Sequence, residues 1–229
     1  MRIVAASDSS ILVAFADEMS AESQRNVLSL FLELHKLREP RIRNLHPAYS
    51  SLLIDFDPIH ANHADMTRIA EVALTNASPI TEHFGREVKI SVCYEGEFAP
   101  DLNAVAERTG LHADEVVRLH STADYVVAFL GFTPGFGYLS GLPKLLNVPR
   151  RATPRKVVAA GSVGIAGMQT GVYPLQSPGG WQIIGRTPAR MFHPDANPPT
   201  LLQPGDTVRF VPISPAEFAN LSRSEEANP

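Results

Sequence analysis

Between Tyr125 and Pro194 the chain runs for seventy residues without an Asp or Glu, while Lys144, Arg150, Arg151, Arg155, Lys156, Arg186 and Arg190 supply seven basic side chains. The same stretch holds most of the 15 glycines and breaks its apolar text into short pieces with Gly and Pro. Phe132 to Leu142, Val157 to Ala160, Gly164 to Ala166, Gly171 to Pro174 and Gln182 to Ile184, with Thr207 to Phe210 beyond, are too short for helices and read as strands and turns of a closed β architecture, a barrel. The whole chain has 20 Lys+Arg against 24 Asp+Glu, so the remainder carries 13 bases against 24 acids, a net of −11 beside the stretch's +7. Carboxylate-free surroundings with guanidinium forks and glycine-exposed N–H groups suit phosphate or carboxylate ligands. A glycine-rich β domain that is merely poor in acids accounts for the same composition, and spacing alone leaves both readings open.

The net charge of −4 and pI near 6.1 argue against a nucleic-acid protein, which needs a clearly basic face. With 44% hydrophobic residues over 229 positions, the chain has material for one large domain or two small ones. A single Cys93 excludes an intramolecular disulfide and a Cys-based zinc cage, which fits a reducing compartment. The first residues lack the pattern of a signal peptide, and no apolar run approaches the ~20 residues of a membrane span. The expectation is a soluble, cytoplasmic protein with no membrane partner.

Upstream, strand and helix signals alternate. Arg2 to Ala6 and Ser10 to Phe15 read as a hairpin. From Ser20, Val27, Leu28, Leu30, Phe31, Leu34 and Leu37 recur at helical spacing until Pro40 ends the pattern. Ile42 to Leu45 and Ser51 to Phe56 read as strands, and Asn62 to Asn76 as a second amphipathic helix. Residues 1–86 therefore form a small α+β domain. Arg86 to Tyr94 then alternates, with Val88, Ile90, Val92 and Tyr94 on one face and Lys89, Ser91 and Cys93 on the other. It opens a mainly-β domain over 87–213. In that domain Asp101 caps a short helix closed by Gly110, and a second helix carries Val116, Val117, Leu119 and His120. Residues 214–229 form a polar tail with one short helix after Pro215 and no structure from Ser222 onward.

Few motifs carry chemistry outright. Gly135-Phe-Gly-Tyr-Leu-Ser-Gly141 superficially matches a dinucleotide fingerprint, but Pro143 forbids the helix that must follow, and no Walker A loop exists. Gly161-Ser-Val-Gly-Ile-Ala-Gly167 offers either a row of backbone donors to an anion or a tight turn. His120 is a candidate proton carrier, with a core or capping histidine as the equal alternative. His60 and His63 share a helix face but lack a third ligand pattern, so no metal site is expected. No nucleophile elbow surrounds a serine, and Ser162 and Ser177 read as hydroxyl donors. Tyr138, Tyr173 and Trp181 lie among glycines and prolines, either lining a pocket or filling the barrel, with barrel core favoured for Trp181.

The motif text is nonetheless specific. Gly131-Phe-Thr-Pro-Gly-Phe-Gly-Tyr-Leu, Pro149-Arg-Arg with Pro154-Arg155, Ala160-Gly-Ser-Val-Gly-Ile-Ala-Gly-Met-Gln-Thr-Gly-Val-Tyr-Pro and Ser177-Pro-Gly-Gly-Trp-Gln-Ile-Ile-Gly-Arg-Thr-Pro closely resemble the 5-oxoprolinase B-subunit family, also called the kinase A inhibitor or allophanate hydrolase subunit 1 family. The likeness covers nearly all of residues 88–212, and the N-terminal part matches in layout. Glu95, where the family usually has glycine, and Ala159-Ala160, where it usually has proline before Ala-Gly, are departures.

The resemblance implies an α+β N-terminal domain followed by a cyclophilin-like β-barrel. It implies one component of an enzyme that opens 5-oxoproline (pyroglutamate) to glutamate with ATP hydrolysis, its active site shared with a homologous C subunit, while an A subunit makes the enzyme complete. The chain alone is expected to be inactive. ATP with magnesium is the implied cofactor, and a small lactam the substrate. Holding a carboxylate, phosphates and developing charge together calls for an acid-free arginine site. On that reading Arg155 and Arg186 are anion clamps, Gln169 and Ser177 polar orienters, Tyr138 and Tyr173 pocket walls, and His120 the acid/base. The same resemblance leaves two alternatives: an inhibitor of a sensor kinase, or the carboxyltransferase subunit of a urea carboxylase or allophanate-type enzyme. A peptidyl-prolyl isomerase rests on the barrel alone.

Overall fold

Strands β1 (Arg2–Ser7) and β2 (Ser10–Ala14) form the expected hairpin. The structure is a computed structural model that describes residues 1–78 and 85–226. Helix α1 (Ala21–Leu37) starts at a capping box in which the Ser20 hydroxyl accepts from the Ser23 N–H and Ser23 returns the bond to the Ser20 N–H. It ends where Arg38 takes a left-handed conformation, φ 49°, two residues before Pro40. Strands β3 (Ile42–Pro47) and β4 (Ser51–Phe56) complete a sheet of order β1-β2-β4-β3, and α2 (His63–Asn76) follows from an Asn62 cap. β3 runs two residues past its expected end because it is an edge strand, where the missing N–H of Pro47 is tolerated. Ile11, Val13, Leu52, Ile54 and Phe56 pack against Val27, Leu30, Leu34, Met66 and Ala70 of the helices to make this unit's core.

The chain divides into two compact units, Met1–Phe84 and Gly85–Pro229. The second unit opens with β5 (Glu87–Cys93), whose Ile90, Val92 and the following Tyr94 are buried as the alternation requires. A 3-10 turn at Gly96–Phe98, α3 (Leu102–Thr109) and α4 (Ala113–Thr122) precede β6 (Tyr125–Leu130) and β7 (Gly137–Ser140). A second 3-10 turn at Lys144–Leu146 leads to β8 (Arg155–Val158), β9 (Ser162–Ala166), β10 (Gln169–Val172), β11 (Ser177–Gly179), β12 (Gln182–Arg186), β13 (Thr207–Ile213) and α5 (Pro215–Glu226). Among the described residues seven strands close in the order β10-β7-β6-β13-β5-β12-β9, with β8 and β11 paired outside as a ribbon. Only β13 and β5 run parallel, in register from Thr207 opposite Glu87 to Ile213 opposite Cys93. The expected barrel is present. The polar end is helical through Glu226, a correction to the unstructured end expected from Ser222, because Phe218 anchors α5 on Phe98 with ring centroids 4.4 Å apart.

Strand alternation sorts the barrel. Val163, Ile165, Val172, Leu139 and Ile184 enter its main core with Val105 and Val116 of the helices. Gly164 and Gly171 occupy the opposite, outer face. A Cβ on Gly171 would lie 2.7 Å from the Gly137 carbonyl oxygen and 3.2 Å from the Phe136 ring, so glycine lets an aromatic ring rest directly on the strand backbone. This explains why a β domain should be so rich in glycine.

His120 projects from α4 into the barrel, fully buried. Its ring stacks on Phe210 at 4.6 Å, and the Tyr125 hydroxyl donates to its carbonyl. Thr170 Oγ1 donates to the Gly164 carbonyl, so the Nε2–H of His120 donates to Thr170 Oγ1 at 3.0 Å and Nδ1 accepts from the Tyr94 hydroxyl at 2.8 Å. That network fits a neutral imidazole, and burial lowers its pKa from 6.5 to about 3. The folded state thus refuses a proton that the unfolded chain takes up as pH falls through 6.5. Stability is full above that pH and falls by about 1.4 kcal/mol per unit below it, until about pH 3. Urea unfolding followed by Trp181 fluorescence should show roughly 2 kcal/mol lost between pH 6.5 and 5, and a His120→Gln variant should flatten that slope; an unchanged slope in the variant contradicts the assignment.

Candidate functional site

Packed against the outward side of β7, β9, β10 and β12, four aromatic rings build a small second core, with Phe136 and Tyr173 each 2% exposed, Trp181 4% exposed and Tyr138 half-buried. Phe136 meets Tyr138 at 4.9 Å, Tyr173 at 5.3 Å and Trp181 at 5.5 Å between centroids. Tyr138 and Tyr173 lie 5.9 and 6.4 Å from Trp181, the latter pair edge to face. Val158, Ala166 and Ile183 fill in beneath, as a cluster separate from the barrel interior. Trp181 therefore belongs to this outer patch, which corrects its expected place in the barrel core. Gly179 makes room for Tyr173: a Cβ there would come 2.5 Å from the phenol oxygen. Burial raises the pKa of both phenols, while the positive charge of Arg150 works to lower them. Phe132, at φ 66° and 59% exposed, stands at the rim beside Phe136 and Tyr173.

The acid-free stretch is not acid-free in space. Asp101, 3% exposed at the start of α3, delivers its carboxylate to the patch's edge, where it accepts from Arg155 Nη1 and Nη2 at 2.7 Å each, from Arg151 Nη1 at 2.8 Å and from the Ile183 N–H at 2.7 Å. Burial pushes its pKa up, but the Arg155 hydrogen bonds, the Ile183 N–H and the two guanidinium charges together hold it below the ordinary carboxylate range. The expected side-chain cap on α3 is absent because that carboxylate is spent on the arginines.

The predicted site residues divide accordingly. Tyr138 and Tyr173 are together on the patch. Gln169 lies on the same outer face of β10 as Gly171 by strand alternation, and is half-buried. Ser177, on β11 opposite Val158, has a buried hydroxyl with no hydrogen-bond partner among the described residues. Arg155 stands on β8 at the edge, but its fork is closed on Asp101, so it is no open clamp. Arg186 is elsewhere: its Nε donates to the Ala160 carbonyl at 2.9 Å and its guanidinium lies 6.0 Å over the Phe218 ring of α5. His120 is sealed in the barrel with both nitrogens engaged, which corrects its expected acid/base role. Of the two readings of the Gly161 row the turn holds, since the Gly161 N–H donates to the Tyr173 carbonyl, that of Ser162 to the Ala159 carbonyl and that of Gly167 to the Val148 carbonyl. Sequence reasoning missed Asp101, Arg150 and Arg151. The Arg150-Arg151 pair was a visible signal, whereas Asp101 resembled an ordinary helix cap.

The comparisons with known proteins agree with this architecture. The family model for the carboxyltransferase domain, subdomain C and D, matches residues 1–202, and the chain belongs to that family. It is 39% identical to the 5-oxoprolinase B subunit of Bacillus subtilis over 96% of this chain and 95% of that protein. It is 56% identical to the corresponding B subunit of Escherichia coli O157:H7 over 59% of this chain and 62% of that protein. Among solved structures, TTHA0988 superposes with a TM-score of 0.79 at 36% identity, over 90% of this chain and 40% of that one. The urea amidolyase of K. lactis superposes at 0.77 with 20% identity, over 97% of this chain and 15% of that one, and shares the fold.

Removing Asp101 leaves two arginines and the buried Ile183 N–H without their acceptor, and truncating one partner of a buried ion pair commonly costs about 3 kcal/mol or more. An Asp101→Ala variant should therefore lower stability by about 3 kcal/mol in denaturant unfolding, against less than about 0.5 kcal/mol for exposed Asp114→Ala. Equal stability of the two variants would contradict the hub.

Proposed function

We propose that this chain is the B subunit of an ATP-dependent 5-oxoprolinase, opening 5-oxo-L-proline to L-glutamate in a site shared with a homologous C subunit, while an A subunit makes the enzyme complete. The observation that carries the reading is the match to a named B subunit over 96% of this chain and 95% of that protein. The chemistry supports it. A lactam carbonyl is a poor electrophile, and phosphorylating its oxygen turns that oxygen into a leaving group, so negative charge has to be held beside an apolar ring. An arginine-rich edge over a buried aromatic cluster supports both needs, with half-buried Tyr138 as an apolar wall backed by buried Tyr173, Ser177 and Gln169 as hydrogen-bonding groups, and Arg155 locked by Asp101 as fixed positive charge. His120 and Arg186 take structural roles in this reading.

ATP with magnesium enters as the co-substrate of the complex. The glycine-row N–H groups that would cradle its phosphates are spent inside this chain, so no phosphate loop is assigned to residues 161–167. Phosphoryl transfer is thus assigned to no residue of that row.

The test is ATP hydrolysis with and without 5-oxoproline, using this chain mixed with partners of A and C type and omitting it in the control. Lactam-dependent ADP and glutamate that vanish without the chain are expected. ATP hydrolysis indifferent to the lactam in a fully assembled complex would overturn the reading.

A further inference from the structure

Helix α5 is held on the barrel domain by one side chain. From Pro215 to Glu225 only Phe218 and Ser222 are half-buried, and every other residue is exposed. Its polar side chains are spent on the helix itself. Glu217 accepts from the N–H and hydroxyl of Ser214 at the helix start, Arg223 donates to the Asn220 side chain and the Ala219 carbonyl, and the Ser224 hydroxyl donates to the Asn220 carbonyl. The helix is thus capped and braced from within, and among the described residues its side chains take no hydrogen bond from the barrel. Beneath its second half a groove of about 440 Å³ lies between Leu221, Ser224 and Glu225 and the outward Lys89 and Ser91 of β5. The close contact is the Phe218 ring, 4.4 Å from the Phe98 ring and 6.0 Å from the Arg186 guanidinium.

That ring sits over a corner of the barrel that strand alternation turns outward. Cys93 shares the outward face of β5 with Lys89 and Ser91. Arg186 of β12 and Ile213 of β13 stand directly opposite it on either side, and α5 begins just past Ile213. Although it faces away from the barrel core, Cys93 is 0% exposed. We infer that α5 is a displaceable cover with Phe218 as its latch: docked, it seals Cys93 and lays its ring on Arg186; lifted, it opens this corner and leaves the barrel folded. The docked state gains little beyond the burial of one phenylalanine, whereas the barrel beneath keeps its own core, so the helix opens far more often than the chain unfolds. Arg186 forms no ion pair among the described residues, and α5 controls access to its guanidinium. The inference stands on the packing of α5 and not on the function proposed above.

Cys93 is the chain's single cysteine, so its reaction with an aromatic disulfide reagent that releases a coloured thiolate reads this corner alone. The full-length chain would be treated with excess reagent at mildly alkaline pH over a range of urea concentrations below the unfolding transition, with that transition followed by Trp181 fluorescence. The expected rate is measurable without urea and nearly independent of it, because lifting one helix exposes little surface. Phe218→Ala should raise that rate at least about 10-fold, with Phe218→Leu in between, while the Trp181 transition stays cooperative. No reaction below the transition, a rate that climbs with urea in parallel with global unfolding, or a wild-type rate in Phe218→Ala overturns the inference. Loss of the cooperative Trp181 transition in Phe218→Ala overturns it too, since α5 is then an integral part of the domain's core rather than a cover.

Discussion

One buried carboxylate, that of Asp101, ties the arginine-rich edge of the barrel domain together. Asp101 receives four hydrogen bonds from two segments distant in sequence: the Arg151 to Arg155 stretch that runs into β8, and strand β12 through the Ile183 N–H. β8 belongs to the outer ribbon rather than to the barrel. The ion cluster therefore ties the ribbon, the 149–155 loop and α3 to one barrel strand. Its desolvation cost is met because the partners are charged and the geometry is bidentate, and one arginine remains outside it.

The barrel supplies the rigid surface on which that cluster works. Its inward residues make an apolar core into which α4 inserts His120, and every polar atom on that ring is satisfied. Its outward glycines let Phe136 and Trp181 lie close to backbone, where the rings pack edge to face and are fixed by their neighbours. Strand and ring depend on the same glycine, because a side chain at Gly171 would disturb the strand and the Phe136 ring above it together.

Much of this was legible in the residues. The hairpin, α1, α2 and β5 follow from local periodicity and capping, interactions that span four residues or fewer. The glycine-rich, acid-free stretch marked the barrel strands, and the resemblance of its motifs marked the family. What was not legible depends on contacts across long separations. Asp101 looks like a helix cap until Arg151 and Arg155, 50 and 54 residues later, fold onto it. His120 reads equally as a proton carrier or a core histidine until Tyr94 and Thr170 close around it. Arg155 and Arg186 looked equivalent by charge, yet one is paired with a carboxylate and the other with a carbonyl and a ring. Charge counts cannot distinguish a committed guanidinium from an open one; the partner decides.

The account's central proposal is that this chain contributes residues to a site shared with its partner subunits. Its most direct test is a structure of the complex assembled from this chain and its partner subunits, determined with 5-oxoproline bound. The account predicts the lactam in contact with this chain's barrel domain at the arginine-rich edge beside Asp101. A lactam enclosed wholly by the partner subunits, with no residue of this chain touching it, would contradict it.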